Sequence, residues 1–129
     1  MFTGSYIFNI DYKGRIFLPD DIRKQIKDGT LMLTVIDDTS FILKDANGWK
    51  ADEIFYPGNS QITSYILKHS YEVKIKSQGR ITIPNIVLKN SNIGNKVVII
   101  GQGDFIEVTD YEKYLEYEEY NKTLTKKRK

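Results

Sequence analysis

One sequence pattern occurs twice in this chain, and its second copy follows the first by 65 residues. The first copy runs from Tyr6 to Pro19 and the second from Tyr71 to Pro84. Each copy contains a Gly-Arg-Ile triplet whose glycine lies five residues before the final proline. An internal repeat of this kind predicts two similar units that pack about a pseudo-two-fold axis. The same surface feature is then presented twice, which suits a ligand that is itself repetitive.

The length and composition exclude several classes of protein. A chain of 129 residues makes one domain or two halves that share a core, because a half of about 60 residues buries too little apolar surface alone. The absence of cysteine excludes disulfides and thiolate chemistry. No apolar stretch approaches the roughly 20 residues of a membrane span, and no signal-peptide pattern opens the chain. We therefore expect a cytoplasmic protein without a membrane partner.

Charge is unevenly distributed along the chain. The net charge of +2 is too small to indicate nucleic-acid binding by itself. Residues 71–90 nevertheless carry four basic side chains and one acidic one, and residues 121–129 carry five basic side chains and no acidic one. Acidic residues concentrate instead in 110–120. Charged residues are therefore segregated along the chain, although the net charge is small.

Alternating apolar residues begin each copy and predict a half-buried strand. A glycine turn follows at Lys13-Gly14 and at Gln78-Gly79, where glycine supplies a positive φ. A second apolar stretch then follows each turn, so that each copy predicts a β-hairpin. The paired strands would be Tyr6–Ile10 with Ile16–Leu18, and Tyr71–Ile75 with Ile81–Ile83.

The remainder of each copy predicts a short helix after the proline, two further strands and a longer helix, in the order β-β-α-β-β-α. The first of the short helices would end at Gly29. After Asp45 we expect a short helix, a break at Pro57–Ser60 and a helix at Ile62–Lys68. A last helix would run to about Asn121 and be followed by a disordered lysine-rich end. The predicted units are 1–52 and 70–112 for the repeats, 53–69 for the linker helix, and 113–129 for the C-terminal helix and basic tail.

Several of these segments are similar to those of one protein family. They are Met1–Gly4, Asp11–Pro19, Gln78–Pro84, Val97–Gly101 and Phe105–Glu107. With both repeats in this order and at this spacing, the chain resembles the MraZ family, bacterial proteins built from two AbrB-like (SpoVT-AbrB) repeats. The resemblance covers nearly the whole chain.

The resemblance implies both a fold and a function. The fold class is α+β, with duplicated AbrB-like β-hairpin units that form a pseudo-symmetric small β-barrel with flanking helices. The function is that of a transcriptional regulator, which binds double-stranded promoter DNA at short direct repeats upstream of its own gene, in the division and cell-wall gene cluster. Family members form closed homo-oligomeric rings, and the location implied is the cytoplasm and nucleoid. We expect no enzyme activity, cofactor, metal or small-molecule substrate.

The DNA-contacting motif of the family is Asp-x-x-x-Arg in each repeat. Asp11 and Arg15 match it, whereas the second copy has Lys76 in place of the aspartate and keeps Arg80. A carboxylate beside an arginine holds the guanidinium in one orientation, and an oriented guanidinium binds phosphate or the O6/N7 edge of guanine. The alternative is an exposed ion pair that adds little stability and has no further role.

Other basic residues are candidates for contacts to the DNA backbone. Lys13, Lys74 and Lys76 are candidates for phosphate contacts, and the alternative for Lys13 and Lys74 is a solvated strand face. Arg23 and Lys24 are further candidates, for which a solvated helix face is the favoured interpretation. Two further functions remain open: an antitoxin-like module that binds a protein, and a structural ring in which Arg15 and Arg80 contact other subunits.

Overall fold

The computed structural model describes residues 1–49 and 60–127, and leaves the side chains of 125–127 undescribed. The described residues form eight strands, four α-helices and one 3₁₀ turn at Ser77–Gly79. The strands are β1 (Ser5–Asn9), β2 (Arg15–Phe17), β3 (Thr30–Asp37), β4 (Ser40–Asp45), β5 (Ser70–Lys74), β6 (Arg80–Thr82), β7 (Lys96–Gly101) and β8 (Ile106–Asp110). The helices are α1 (Asp20–Arg23), α2 (Ser60–Lys68), α3 (Asn85–Lys89) and α4 (Tyr111–Lys127).

The sequence repeat reappears as pseudo-symmetry in the strand order. Six strands form an antiparallel sheet in the order β1-β7-β8-β4-β3-β5, and β2 and β6 form a separate two-stranded ribbon. In the centre of the sheet Ile42 pairs with Glu107, its counterpart 65 residues later. In the ribbon Ile16 pairs with its counterpart Ile81. The pseudo-two-fold axis therefore passes through both pairs, and the prediction of two similar units is confirmed.

The two predicted hairpins are wrong in their strand pairing. Each turn closes only at its base, where the N–H of Asp11 donates to the carbonyl of Arg15 at 3.0 Å and that of Lys76 donates to Arg80 at 2.7 Å. Beyond these bonds the strands diverge: β1 pairs with β7, β5 pairs with β3, and β2 pairs with β6. Alternating apolar residues indicate which face of a strand is buried, but they carry no information about its partner.

The ribbon closes the core from one side of the sheet. Ile16 and Ile81 are fully buried in one apolar cluster with residues of the sheet such as Leu33, Phe41 and Ile99. The α+β class is confirmed. Within residues 1–49 and 60–127, however, the hydrogen-bonded strands form an open sheet and a ribbon, so the predicted barrel is not closed.

The first short helix ends earlier than predicted. Only the N–H groups of Arg23 and Lys24 bond to carbonyls four residues back, and Ile26 instead bonds to Arg23, three residues back. The chain thus tightens into a turn after Arg23, while both Ile22 and Ile26 still become buried. The two isoleucines are four residues apart, which suits burial on one face, but this spacing does not fix the helix length.

The last helix continues past its predicted end. A carboxylate oxygen of Asp110 accepts a hydrogen bond from the N–H of Lys113 at 3.3 Å and caps the helix start. The helix then continues to Lys127, so the prediction of disorder from Asn121 is wrong for this part of the tail. Lysine and leucine are good helix formers, and cations near a helix C-terminus interact favourably with its dipole.

The segment between the repeats is described only in part. Up to Trp49 the backbone forms a turn, in which the N–H of Asn47 donates to the Asp45 carboxylate at 3.0 Å. The rest of the predicted short helix and most of the break at Pro57–Ser60 lie outside the described residues. The helix predicted at Ile62–Lys68 is present as α2. None of the helices in the described part of the chain combines the length and apolar character of a membrane span.

Gly101 offers a first test of the packing. Its N–H donates to the carbonyl of Gly4 at 2.8 Å, and a Cβ added to Gly101 would overlap the backbone of Phe2 and Thr3. Gly101→Ala is therefore expected to reduce the free energy of unfolding by about 1–3 kcal/mol in urea denaturation. Gly94→Ala is the matched control, since its added Cβ meets only a carboxylate oxygen of Asp110 at 3.4 Å. Equal stability of the two variants would contradict this account.

Candidate nucleic-acid interface

The two-stranded ribbon has one buried face and one outward face. Arg15 pairs with Thr82, and Phe17 pairs with Arg80. Directly opposed residues of an antiparallel pair share a face, as do residues two apart on one strand. All four side chains therefore lie on the face opposite to the buried Ile16. The exchange of partners between the repeats places both arginines of the sequence motif on one short ribbon.

Both arginines line a single depression. Its volume is about 430 Å³, and its lining residues are Lys13, Arg15, Lys76, Ser77, Arg80 and Thr82. Four of these six are cationic, and they come from both repeats. A concave surface lined by one sign of charge raises the local concentration of oppositely charged ligands. The arrangement is suited to a polyanion.

The first motif has the geometry that its residue types predict. The Nε of Arg15 donates to the Oδ2 of Asp11 at 2.7 Å. The Oδ1 of Asp11 accepts the backbone N–H groups of Lys13 and Arg15, both at 2.9 Å. Aspartate thus fixes the turn and the guanidinium together. Because the ion pair uses Nε, the two Nη groups of Arg15 are not engaged by it.

The same hydrogen bonds set the charge state of Asp11. The backbone N–H of Arg15 is the main cause that holds the pKa of this carboxyl below its ordinary value, against the opposing effect of partial desolvation, with smaller contributions from the Arg15 side chain and the Lys13 N–H. A lowered pKa means that the ionised form is favoured by folding. The contribution of the pair is complete above the unfolded pKa and is lost as pH falls through the folded value. At neutral pH Arg15 therefore remains held.

The second motif has a similar turn but a different support for its arginine. The N–H of Gly79 donates to the carbonyl of Lys76 at 3.1 Å, as Gly14 donates to Asp11 at 2.9 Å. Lys76 offers no carboxylate to Arg80. Instead, the guanidinium carbon of Arg80 lies 5.7 Å from the centroid of the Phe17 ring, within the range of a cation–π contact.

Lys74 lies apart from the other predicted site residues. It is the exposed last residue of β5 and pairs with Thr30. Within the described residues it does not line the depression, whereas Lys13 and Lys76 do. The structure therefore brings together five of the six predicted residues: four line the depression, and Asp11 is bound to one of them, Arg15. The sixth, Lys74, lies apart on β5.

Comparison with known proteins identifies the family. The model of the family described as "MraZ protein, putative antitoxin-like" matches residues 1–53 and 66–129. The chain belongs to the MraZ family. A protein of Mesoplasma florum named transcriptional regulator MraZ is 31% identical over 94% of this chain and 88% of that protein. A protein of the same name from Mycoplasmoides gallisepticum is 32% identical over 94% of this chain and 89% of that protein. The family resemblance recognised in the sequence is confirmed.

Among solved structures, the solution structure of PHS018 from Pyrococcus horikoshii matches 84% of this chain and 89% of that chain. The sequence identity is 15% and the TM-score is 0.36. At this level of similarity the match does not bear on the function of the MraZ family member described here.

Sequence reasoning missed Phe17 at this surface and did not anticipate what Arg23 contacts. Phe17 lies opposite Arg80 and is 43% exposed despite its size. The side chain of Arg23 covers the second turn: a Cβ at Gly79 would lie 3.1 Å from its Cδ, and its Nη2 is held by Asp20 at 2.9 Å. Both contacts join one repeat to the other. No spacing within a single repeat could have indicated them.

Proposed function

We propose that this protein is a sequence-specific DNA-binding transcriptional regulator whose DNA contact is the outward face of the β2–β6 ribbon. The observation that carries the proposal is the convergence of Arg15, Arg80, Lys13 and Lys76 on one depression. The names of the curated relatives agree with a role in transcription. Phosphate contacts supply affinity and base contacts supply specificity, and a surface of this kind contains groups for both.

The side chains divide between these two tasks. Lys13 and Lys76 carry point charges on flexible stems and are assigned to phosphates, with Lys74 as a further contact on the flank. Arg15 is held by Asp11 and has two Nη groups outside that ion pair, so it is assigned to the O6/N7 edge of guanine. Arg80 lacks a carboxylate, so we expect it to discriminate between bases less strongly than Arg15.

The proposed target is the promoter of the division and cell-wall gene cluster, at short direct repeats upstream of the protein's own gene. A closed homo-oligomeric ring would present the depression of each subunit to successive repeats, and the summed contacts would raise the avidity. This function requires no catalysis and no cofactor, and it places the protein in the cytoplasm at the nucleoid.

The experiment is a titration of the protein against labelled DNA from the region upstream of its gene, followed by fluorescence anisotropy. We expect tighter binding to this DNA than to a scrambled duplex. The plot of log K against log salt concentration should have a slope of roughly −3 for each engaged subunit, from the three lysines assigned to phosphates. Lys68→Ala, which removes one positive charge outside the depression, is the control for net charge.

The result also distinguishes the alternative function. The family description includes the words "antitoxin-like", and an antitoxin-like module would bind a partner protein through another surface. Equal and weak binding to both duplexes, with a shallow salt slope, would favour that alternative over promoter recognition.

A further inference from the structure

We propose that Phe17 of the first repeat is the positioning residue for Arg80 of the second repeat, in the place that an aspartate at position 76 would otherwise take. The effect on DNA rests on the function proposed above. The contact itself belongs to the free protein and is testable without DNA.

The ribbon geometry is the first step of the argument. Phe17 and Arg80 are directly opposed across the antiparallel pair, and both point outward. The guanidinium carbon lies 5.7 Å from the ring centroid. An aromatic ring attracts a cation through its π face, and the contact is stronger where it is shielded from water. Arg80 is only partly exposed, so the ring and the ribbon shield it on one side.

The two repeats differ at both relevant positions, and the differences are complementary. The counterpart of Phe17 in the second repeat is Thr82, which lies opposite Arg15. Arg15 therefore has a carboxylate from its own turn and no aromatic neighbour across the ribbon. Arg80 has a lysine at the carboxylate position and a phenylalanine across the ribbon. Among the described residues the two arginines thus have supports of different chemistry.

The difference has a consequence for recognition. Asp11 engages the Nε of Arg15 and leaves the Nη groups for a ligand. A π face binds the cation without accepting any one of its N–H groups, so Arg80 keeps all five donors while its position is restricted. Arg80 is thus held at the depression while the ring occupies none of its N–H donors. This suits contact with phosphates or with more than one base.

The first arm of the test uses the free protein in solution NMR. The Hδ and Hε protons of Arg80 should show an upfield ring-current shift that is retained in Phe17→Tyr and lost in Phe17→Leu. The corresponding protons of Arg15 are the internal control and should not move, because Asp11 holds that side chain. Unchanged Arg80 resonances in Phe17→Leu would overturn the proposal. Phe17 is 43% exposed, so we expect both variants to fold.

The second arm measures binding to the upstream DNA. Phe17→Leu should weaken binding roughly two- to fivefold, the equivalent of one exposed cation–π contact. It should cause no further loss in an Arg80→Ala background. Lys76→Asp restores the Asp-x-x-x-Arg motif and supplies a carboxylate for Arg80. In a Lys76→Asp background, Phe17→Leu should therefore leave the dissociation constant nearly unchanged.

The outcomes of this arm are separable. An undiminished effect of Phe17→Leu in the Arg80→Ala background would show that Phe17 contacts DNA itself and would overturn the positioning role. If the unmodified protein binds neither duplex, the proposed function fails, while the NMR arm still decides whether Phe17 positions Arg80.

Discussion

Arg15→Ala is expected to weaken binding to the upstream DNA by roughly 10- to 100-fold, the loss of one bidentate arginine–base contact. The reason is the 2.7 Å bond from the Nε of Arg15 to the carboxylate of Asp11, which fixes the direction of the guanidinium. Within the described structure, the other ribbon arginine, Arg80, has no such carboxylate. Binding to a scrambled duplex should fall much less, because only one charge is removed. The measurement is the ratio of the two dissociation constants at a fixed salt concentration.

Arg15→Lys is the matched variant, since it keeps the charge but has no planar fork. It should retain most of the binding to scrambled DNA and lose most of the specificity. Arg80→Ala should reduce specificity less than Arg15→Ala, because no carboxylate orients Arg80. Equal losses of specificity from Arg15→Ala and Arg80→Ala would contradict the proposed difference between the two turns.

Ile16→Ala is expected to have the largest effect on stability, a loss of about 2–5 kcal/mol in the free energy of unfolding. Ile16 is fully buried and pairs with Ile81 on the pseudo-two-fold axis, where the ribbon meets the core of the sheet. Truncation leaves a cavity between the two repeats. Urea denaturation followed by circular dichroism measures the loss.

The pseudo-symmetry provides the control for this experiment. Ile81→Ala removes the equivalent side chain and should cost a similar amount, whereas Ile86→Ala, at a residue that is 51% exposed, should cost much less. If each single variant lost little free energy of unfolding, and the losses simply added in the double variant Ile16→Ala/Ile81→Ala, the ribbon would not be part of the core. A large coupling between the two sites is expected because they are in contact.

The exchange of strand partners links stability to the proposed function. If each turn had formed a hairpin with its own strands, Arg15 and Arg80 would lie on separate units. Pairing of β2 with β6 instead fixes their separation by the register of a three-residue ribbon. The residues that stabilise the ribbon from below, Ile16 and Ile81, alternate with those that form its outward face. A substitution in the buried row is therefore expected to disturb binding as well as stability.

Much of this arrangement could be predicted from local chemistry. The alternation of apolar residues determined the strands, the prolines and glycines determined where helices and turns begin, and the Asp-x-x-x-Arg spacing determined that Asp11 would hold Arg15. These features depend on neighbours a few residues apart, and such contacts follow directly from backbone geometry. The repeat itself determined the pseudo-two-fold symmetry.

Tertiary structure decided which strands pair and therefore what surrounds Arg80. Period-two alternation specifies a buried face but leaves the partner open, so the hairpin prediction and the tertiary exchange fit the sequence equally well. Only the exchange brings Phe17 to Arg80 and Arg23 to Gly79. It is favoured because Ile16 and Ile81 lose all contact with water when they pair with each other over the sheet, and that burial is a property of the whole fold.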